Sequence, residues 1–288
     1  MKRFDIEGHE PSFLPDGKWE LVWADEFDGT ELDRSKWDFR LDFWGERFDA
    51  YTDKGIVLDG NSHIELHRTE IDGRYVSPQL QTGANSFDFL LKTRENPWGQ
   101  DGIWPLGPLS EPKFVHRFGY YECRCKFQND PETMWAAFWT QSPTIGGRFE
   151  PEWCGIESDI MECFKKGKAT TGNIMGGYGR QYKAEGRVRY DLEETEDGWH
   201  YFGMDWQPDG YVFYCDGKEV SRCNDNVSHV PQFILLTTEI QGYRSVKSGK
   251  NTLLGGGGEV DEPPFIIKGD FVDDAFIVDH VRVFDKIG

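Results

Sequence analysis

The chain predicts an all-β protein built as a two-sheet sandwich, and three observations carry that prediction. Short runs rich in Val, Ile, Phe, Tyr and Trp recur along it, Asp-Gly pairs punctuate them, and no segment sustains a helical period. The runs at 20–23, 56–58, 64–67, 118–127, 135–141, 157–163, 200–207, 211–215, 233–240 and 276–284 read as strands, because alternating or apolar β-rich residues suit a pleated, half-buried surface. Asp-Gly pairs at 59–60, 72–73, 209–210 and 216–217 mark tight turns. Many strands and no long helix must bury their apolar faces against each other, which leaves a layered β architecture. With 288 residues, no Ser/Pro/Gly linker between balanced halves and no internal repeat, a single domain over 1–288 is expected, its core at about 17–286.

Composition narrows the function classes. A net charge of −19 and a pI near 4.8 argue against nucleic acid, whose binding needs clustered Lys and Arg. They also disfavour polyanionic substrates, unless a local basic cleft overrides the average. Aromatic residues make up 15% of the chain and Trp numbers 11, more than a core needs; sugar clefts use such rings as stacking platforms, although most must be core. No run of 18 apolar residues exists, so no membrane span is expected. The first ten residues lack an apolar stretch of the signal-peptide kind, which predicts a cytoplasmic protein unless a leader was removed. A monomer is expected. The six cysteines show no metal-ligand spacing; Cys123 and Cys125 alternate onto one strand face as small core residues, and free thiols are expected.

The run Gly155-Ile156-Glu157-Ser158-Asp159-Ile160-Met161-Glu162 holds three carboxylates in a segment that otherwise reads as a buried strand. Paired carboxylates are the machinery of glycoside hydrolysis, one attacking or activating water and the other moving a proton. A third can keep their protonation states apart. Chance alone yields such a spacing about once or twice in so acidic a chain, so the apolar context is the stronger signal. Glu157 and Asp159 share a strand face, whereas alternation sends Glu162 to the other. Glu162 joins them only if a bulge adds a residue near Ile160-Met161. A solvated acidic edge is the plainer alternative, and the bulk of Ile156, Ile160 and Met161 argues against it.

Glu-x-Asp-x-x-Glu resembles the catalytic signature of glycoside hydrolase family 16 in its bulged form. Other blocks resemble the same family in order along the chain: Trp19-Glu20-Leu21-Val22-Trp23-Ala24-Asp25-Glu26-Phe27, Gly119-Tyr120-Tyr121-Glu122-Cys123-Arg124-Cys125-Lys126, Trp135-Ala136-Ala137-Phe138-Trp139, the hairpin around Tyr214 to Lys218, and Asp279-His280-Val281-Arg282-Val283. The resemblance implies a concanavalin-like jelly roll with a concave substrate cleft. It implies an endo-acting retaining hydrolase of a β-linked polysaccharide, β-1,3-glucan first or a β-galactan, with Glu157 as nucleophile, Glu162 as acid/base and Asp159 between them. Retention requires carboxyls about 5–5.5 Å apart. Transglycosylation, or a lectin without catalysis, are the alternatives; a lectin has no use for so costly a like-charge cluster.

Trp135 and Trp139, four apart and so on one face, are candidate sugar platforms if that face is the concave one and core residues if it is not. Asn85 and Glu239 are candidate substrate contacts or satisfied structural polar groups. Catalysis needs no cofactor in this reading. Asp279 matches a position implied to hold a structural calcium, with a turn at the strand start as the alternative. Two departures stand out: Ser158, where an aliphatic residue facing the inter-sheet space is implied, needs a partner, and a supporting His-Trp is missing from the strand around Asn173-Ile174-Met175. Residues 94–112, Pro/Gly-rich with two Trp, form either a cleft wall or a packed flank, and 255–264 a surface loop.

Overall fold

The structure is a computed structural model that describes residues 1–43, 46–47, 50–72, 74–89, 107–127, 134–148, 150–177, 182–240 and 274–287. In chain order its strands are β1 (Lys2–Phe4), β2 (Ser12–Leu14), β3 (Trp19–Asp25), β4 (Asp38–Phe39), β5 (Asp42–Phe43), β6 (Glu46–Arg47), β7 (Tyr51–Thr52), β8 (Ile56–Leu58), β9 (Ile64–Ile71), β10 (Arg74–Gln81), β11 (Gly119–Lys126), β12 (Met134–Gln141), β13 (Glu157–Lys165), β14 (Lys168–Met175), β15 (Lys183–Asp191), β16 (Trp199–Gln207), β17 (Gly210–Cys215), β18 (Lys218–Cys223), β19 (Phe233–Ile240) and β20 (Asp274–Lys286). Every strand run expected from the sequence falls on one of them. Helix is confined, among the described residues, to single turns at Ser86–Phe89 and at α1 (Pro151–Cys154).

Pairing runs β15-β14-β13-β12-β19-β10 and continues β9-β20-β11-β16-β17-β18. The turn between the two layers lies in the β9–β10 hairpin: Gln79–Gln81 pair with β19, whereas Arg74–Val76 pair with β9, which itself pairs with β20. The pairings are antiparallel except that of β7 with β10. At the far end the layers meet again, where Ser221 Oγ donates to the Gly186 carbonyl and Cys223 Sγ donates to Glu185 Oε2 at 3.3 Å. This is the sandwich expected from the strand pattern.

Alternation decides what fills it. Phe138, Ile160, Met161 and Leu236 from the first layer meet Cys123, Phe202, Met204, Phe213, Phe276 and Val281 from the second, all fully buried. Each large apolar side chain so buried contributes about 1.5–3 kcal/mol. A one-residue slip would turn a whole strand's set outward, so this interior fixes register. All six cysteines are buried free thiols. Burial pushes the Cys163 thiol up to about 12, which makes it a poor nucleophile.

The outer face of the second layer carries charge instead. Glu122 and Arg124 of β11 stand opposite Arg282 and His280 of β20. The N-terminal hairpin β1–β2 is pinned there: Arg282 donates to both Glu26 oxygens (2.8 and 2.7 Å) and to Ser12 Oγ (2.8 Å), and Phe13 N donates to Glu122 Oε2 (2.9 Å). Arg282 is 0% exposed, so loss of its partner strands a buried cation. Glu26→Ala is expected to cost about 3–5 kcal/mol in urea unfolding. Asp279 is the extra residue of a bulge on β20, since Arg124 pairs with His280 and Cys125 with Val278. Burial works to raise its pKa, but His280 at 3.1 Å and Arg124 at 3.1 Å outweigh that and hold it below the ordinary 3.8. A depressed folded pKa stabilises above the unfolded value and is lost as pH falls through the folded one. Between pH 6 and pH 3 the wild-type urea midpoint is therefore expected to drop further than that of Asp279→Asn.

Candidate active site

The three carboxylates of β13 stand on one face of the first layer. Gln141 pairs with Glu157, Trp139 with Asp159, Phe138 with Met161 and Ala137 with Glu162, so Ile160 is an inserted residue without an opposite number on β12. Ile160 and Met161 both enter the core, and Glu162 returns to the face of Glu157 and Asp159. On the other side, Glu157, Asp159 and Glu162 pair with Ile174, Gly172 and Thr170. A bulge frees backbone groups, and here Thr171 Oγ1 donates to the Asp159 carbonyl at 2.8 Å. The expected bulge is present, and a side-chain hydrogen bond fastens it.

The carboxylates are buried, at 7, 4 and 4% exposure for Glu157, Asp159 and Glu162. Gln141 Nε2 donates to Glu157 Oε2 at 2.5 Å, which favours that carboxylate's charged form. Arg187 Nη2 of β15 lies 3.7 Å from Glu162 Oε2, and Arg187 Nη1 donates to the Tyr182 hydroxyl at 2.8 Å. Gln141 was within reach of the sequence, because it continues the even spacing of Trp135 and Trp139. Tyr182 and Arg187 carried no signal, since Tyr182 precedes β15 and β15 does not alternate regularly.

Trp135 and Trp139 share the carboxylate face, as alternation from Ala137 requires. Trp139 is buried among Ala137, Phe233 and Leu235, and its Nε1 donates to Thr237 Oγ1 at 2.9 Å. It is an anchored floor, whereas Trp135 is half-buried. Glu239 stands opposite Trp135 on β19 and accepts from the Tyr51 hydroxyl at 3.1 Å. Asn85 lies beyond the Gln141 end of the sheet, where the next residue's N–H donates to the Pro143 carbonyl. It is fully buried, and neither side-chain amide atom has a hydrogen-bond partner among the described residues.

Three expectations need correction or lie elsewhere. Ser158 faces inward opposite Thr140 and Asn173 as expected, yet its Oγ has no hydrogen-bond partner among the described residues. Asp279 sits in the other layer, and the groups around it do not fit calcium: Oδ2 faces the Arg124 guanidinium and the His280 ring, neither of which offers a hard oxygen ligand. Of 94–112 only 107–112 are described, and 255–264 lie outside the described residues.

Comparison with known proteins places this geometry. The model of the glycosyl hydrolases family 16 matches residues 56–249, more than half of the chain and the whole carboxylate strand. The chain belongs to glycosyl hydrolase family 16. Among curated relatives, a xylanase/beta-glucanase of Ruminococcus flavefaciens is 28% identical over 52% of this chain, and glucan endo-1,3-beta-glucosidase A1 of Niallia circulans is 23% identical over 69%. The matched stretches span only 18% and 28% of those two proteins' own lengths. The catalytic domain of an endo-1,3-beta-glucanase (laminarinase) from Thermotoga petrophila superposes with a TM-score of 0.63 at 20% identity, covering 94% of this chain and 100% of that one. That likeness establishes the jelly-roll fold. Among the described residues no helix is long and apolar enough to cross a membrane.

The bulge bond gives a direct test of this family member's site. Thr171→Val removes this hydrogen bond to the buried Asp159 carbonyl, a cost of about 0.5–1.5 kcal/mol. Denaturant unfolding should register that loss, while Thr171→Ser, which keeps the hydroxyl, should stay near wild type.

Proposed function

We propose that this chain is an endo-acting retaining hydrolase of β-glucan, cutting β-1,3-glucan first. The observation that carries the reading is the return of Glu162, across the bulge, to the face of Glu157 and Asp159. In this mechanism the Glu157 carboxylate attacks the anomeric carbon while Glu162 gives its proton to the departing glycosidic oxygen. The C–O bond breaks and a glycosyl ester forms on Glu157. Glu162, now ionised, takes a proton from water, which attacks the same carbon and releases Glu157. The Gln141 hydrogen bond supports Glu157 as the group that starts ionised. Asp159, between the two, adds a charge that disfavours ionisation of its neighbours and so helps keep one proton on the cluster. Trp135, half-buried on the same face, offers a ring for a sugar to stack on. The β-glucan preference draws on the names of the curated relatives and of the laminarinase whose fold the chain shares.

The test is reducing-end release and product size from laminarin, mixed-linkage glucan, agarose and porphyran. Cleavage of laminarin to oligomers, with Glu162→Gln reduced about 10²–10⁴-fold, is the expected result. With Glu162→Ala, added azide should yield a glycosyl azide of retained configuration. Cleavage only of agarose or porphyran replaces glucan by galactan, and longer products in place of reducing ends identify a transglycosylase. Binding without turnover in a folded protein overturns the hydrolase reading.

A further inference from the structure

The chain shapes two strands, one on either side of β14, so that one arginine meets the acid/base candidate. On β15, across β14 from the first bulge, stands another. Thr171 pairs with Val188 and Asn173 with Glu185, so Gly186 and Arg187 together oppose Gly172 alone. Gly186 has φ +60, the left-handed conformation that this bulge takes from a glycine at its first position. The extra residue resets alternation. Without it Glu185 would share a face with Arg187 and Arg189; instead Glu185 turns to the second layer, where Cys223 and Asn226 donate to it. Arg187 stays with the carboxylates, 3.7 Å from Glu162 Oε2 and tied to the Tyr182 hydroxyl. Gly172 leaves the room it needs: at φ +148, an added Cβ would fall 2.6 Å from Arg187 Cα.

We propose that Arg187 is the positioning residue of Glu162, holding its carboxylate in place and favouring its ionised form, with Tyr182 fixing the guanidinium. The proposal rests on the role given to Glu162 above and adds what sets its proton affinity. Charged and polar groups face Glu162 from the strands around it. Its own strand supplies Glu157 and Asp159, which oppose its ionisation. β12 and β14 place the uncharged Ala137 and Thr170 beside it. β15 supplies Arg187 and, opposite Thr170, Arg189. The cations therefore answer a like-charge cluster that would otherwise bind its proton too firmly to release it to a leaving group. The surroundings agree. Desolvation works to lower the Arg187 pKa, yet Glu162, Tyr182 and Asp159 raise it overall. Burial pushes the Tyr182 phenol up against the pull of Arg187, so it remains a neutral hydroxyl.

The experiment titrates the Glu162 carboxyl by carbon-13 NMR, its signal assigned through Glu162→Gln, in wild type, Arg187→Gln, Arg187→Lys and Tyr182→Phe. The alkaline limb of kcat/KM on laminarin is followed in parallel. Loss of an opposite charge at this distance should raise the apparent Glu162 midpoint by about one pH unit in Arg187→Gln. The alkaline limb should move up with it, and Arg187→Lys should keep most of the wild-type value. An unmoved midpoint in folded Arg187→Gln overturns the proposal. Should that variant not fold, Tyr182→Phe decides: its midpoint must shift in the same direction, and an unmoved one overturns the proposal equally. A wild type that cleaves no glucan defeats the hydrolase reading, while the NMR titration still decides whether Arg187 governs Glu162.

Discussion

The site depends on one inserted residue. Ile160 has no partner on β12, and because of it two consecutive apolar side chains enter the core while the acids on either side face the same way. Five residues of regular strand would separate Glu157 from Glu162 by about 16 Å and place them on opposite faces. No carboxylate pair can work across a sheet. The insertion turns that geometry into a shared face, and the core provides the force that holds it, because Ile160 and Met161 have nowhere else to be buried. The arrangement of the carboxylates and the interior packing are thus one constraint seen from two sides.

The flanking strands are fitted to that constraint. Thr171 donates to the Asp159 carbonyl beside the bulge, and Gln141 presents its amide to Glu157 from the strand opposite. Next door, β15 makes its own insertion and brings Arg187 back to the acids. Each of these residues sits on a strand whose register follows from the one before, so a shift anywhere along β12, β13, β14 and β15 would dismantle the set. This register coupling explains why the site lies in the middle of a sheet whose other face is a dense apolar layer.

Much of this was legible in the sequence, and what was not has a physical reason. The strands with strong apolar alternation, β11, β12, β16 and β20, announce themselves. So does the need for a bulge, because the acid spacing conflicts with period two. The alternation that places Trp135 and Trp139 together also fixes their face once Ala137 is opposite Glu162. It does not reveal that Trp139 is covered and anchored to Thr237, since that follows from contacts distant in sequence. β15 escaped notice because Gly186 and its bulge break the pattern that reveals a strand. Asp279 illustrates the converse: a residue type suited to calcium was plain, but the Arg124 and His280 that take its carboxylate come from pairing no local spacing encodes.

The two layers use buried charge to different ends. Arg282, itself 0% exposed, meets Glu26 with two short hydrogen bonds and, through a third to Ser12, fastens the N-terminal hairpin to the sheet. Arg187 stands 3.7 Å from Glu162 without that bidentate fit, and its side chain is 37% exposed. A saturated pair would hold the carboxylate permanently ionised and end proton transfer. A looser, wetter one shifts the balance without fixing it, which suits the proposed role of Glu162 in both giving and taking a proton. The same residue types therefore serve as a clasp in one layer and as a counterweight in the other, and the difference lies in distance and solvent access.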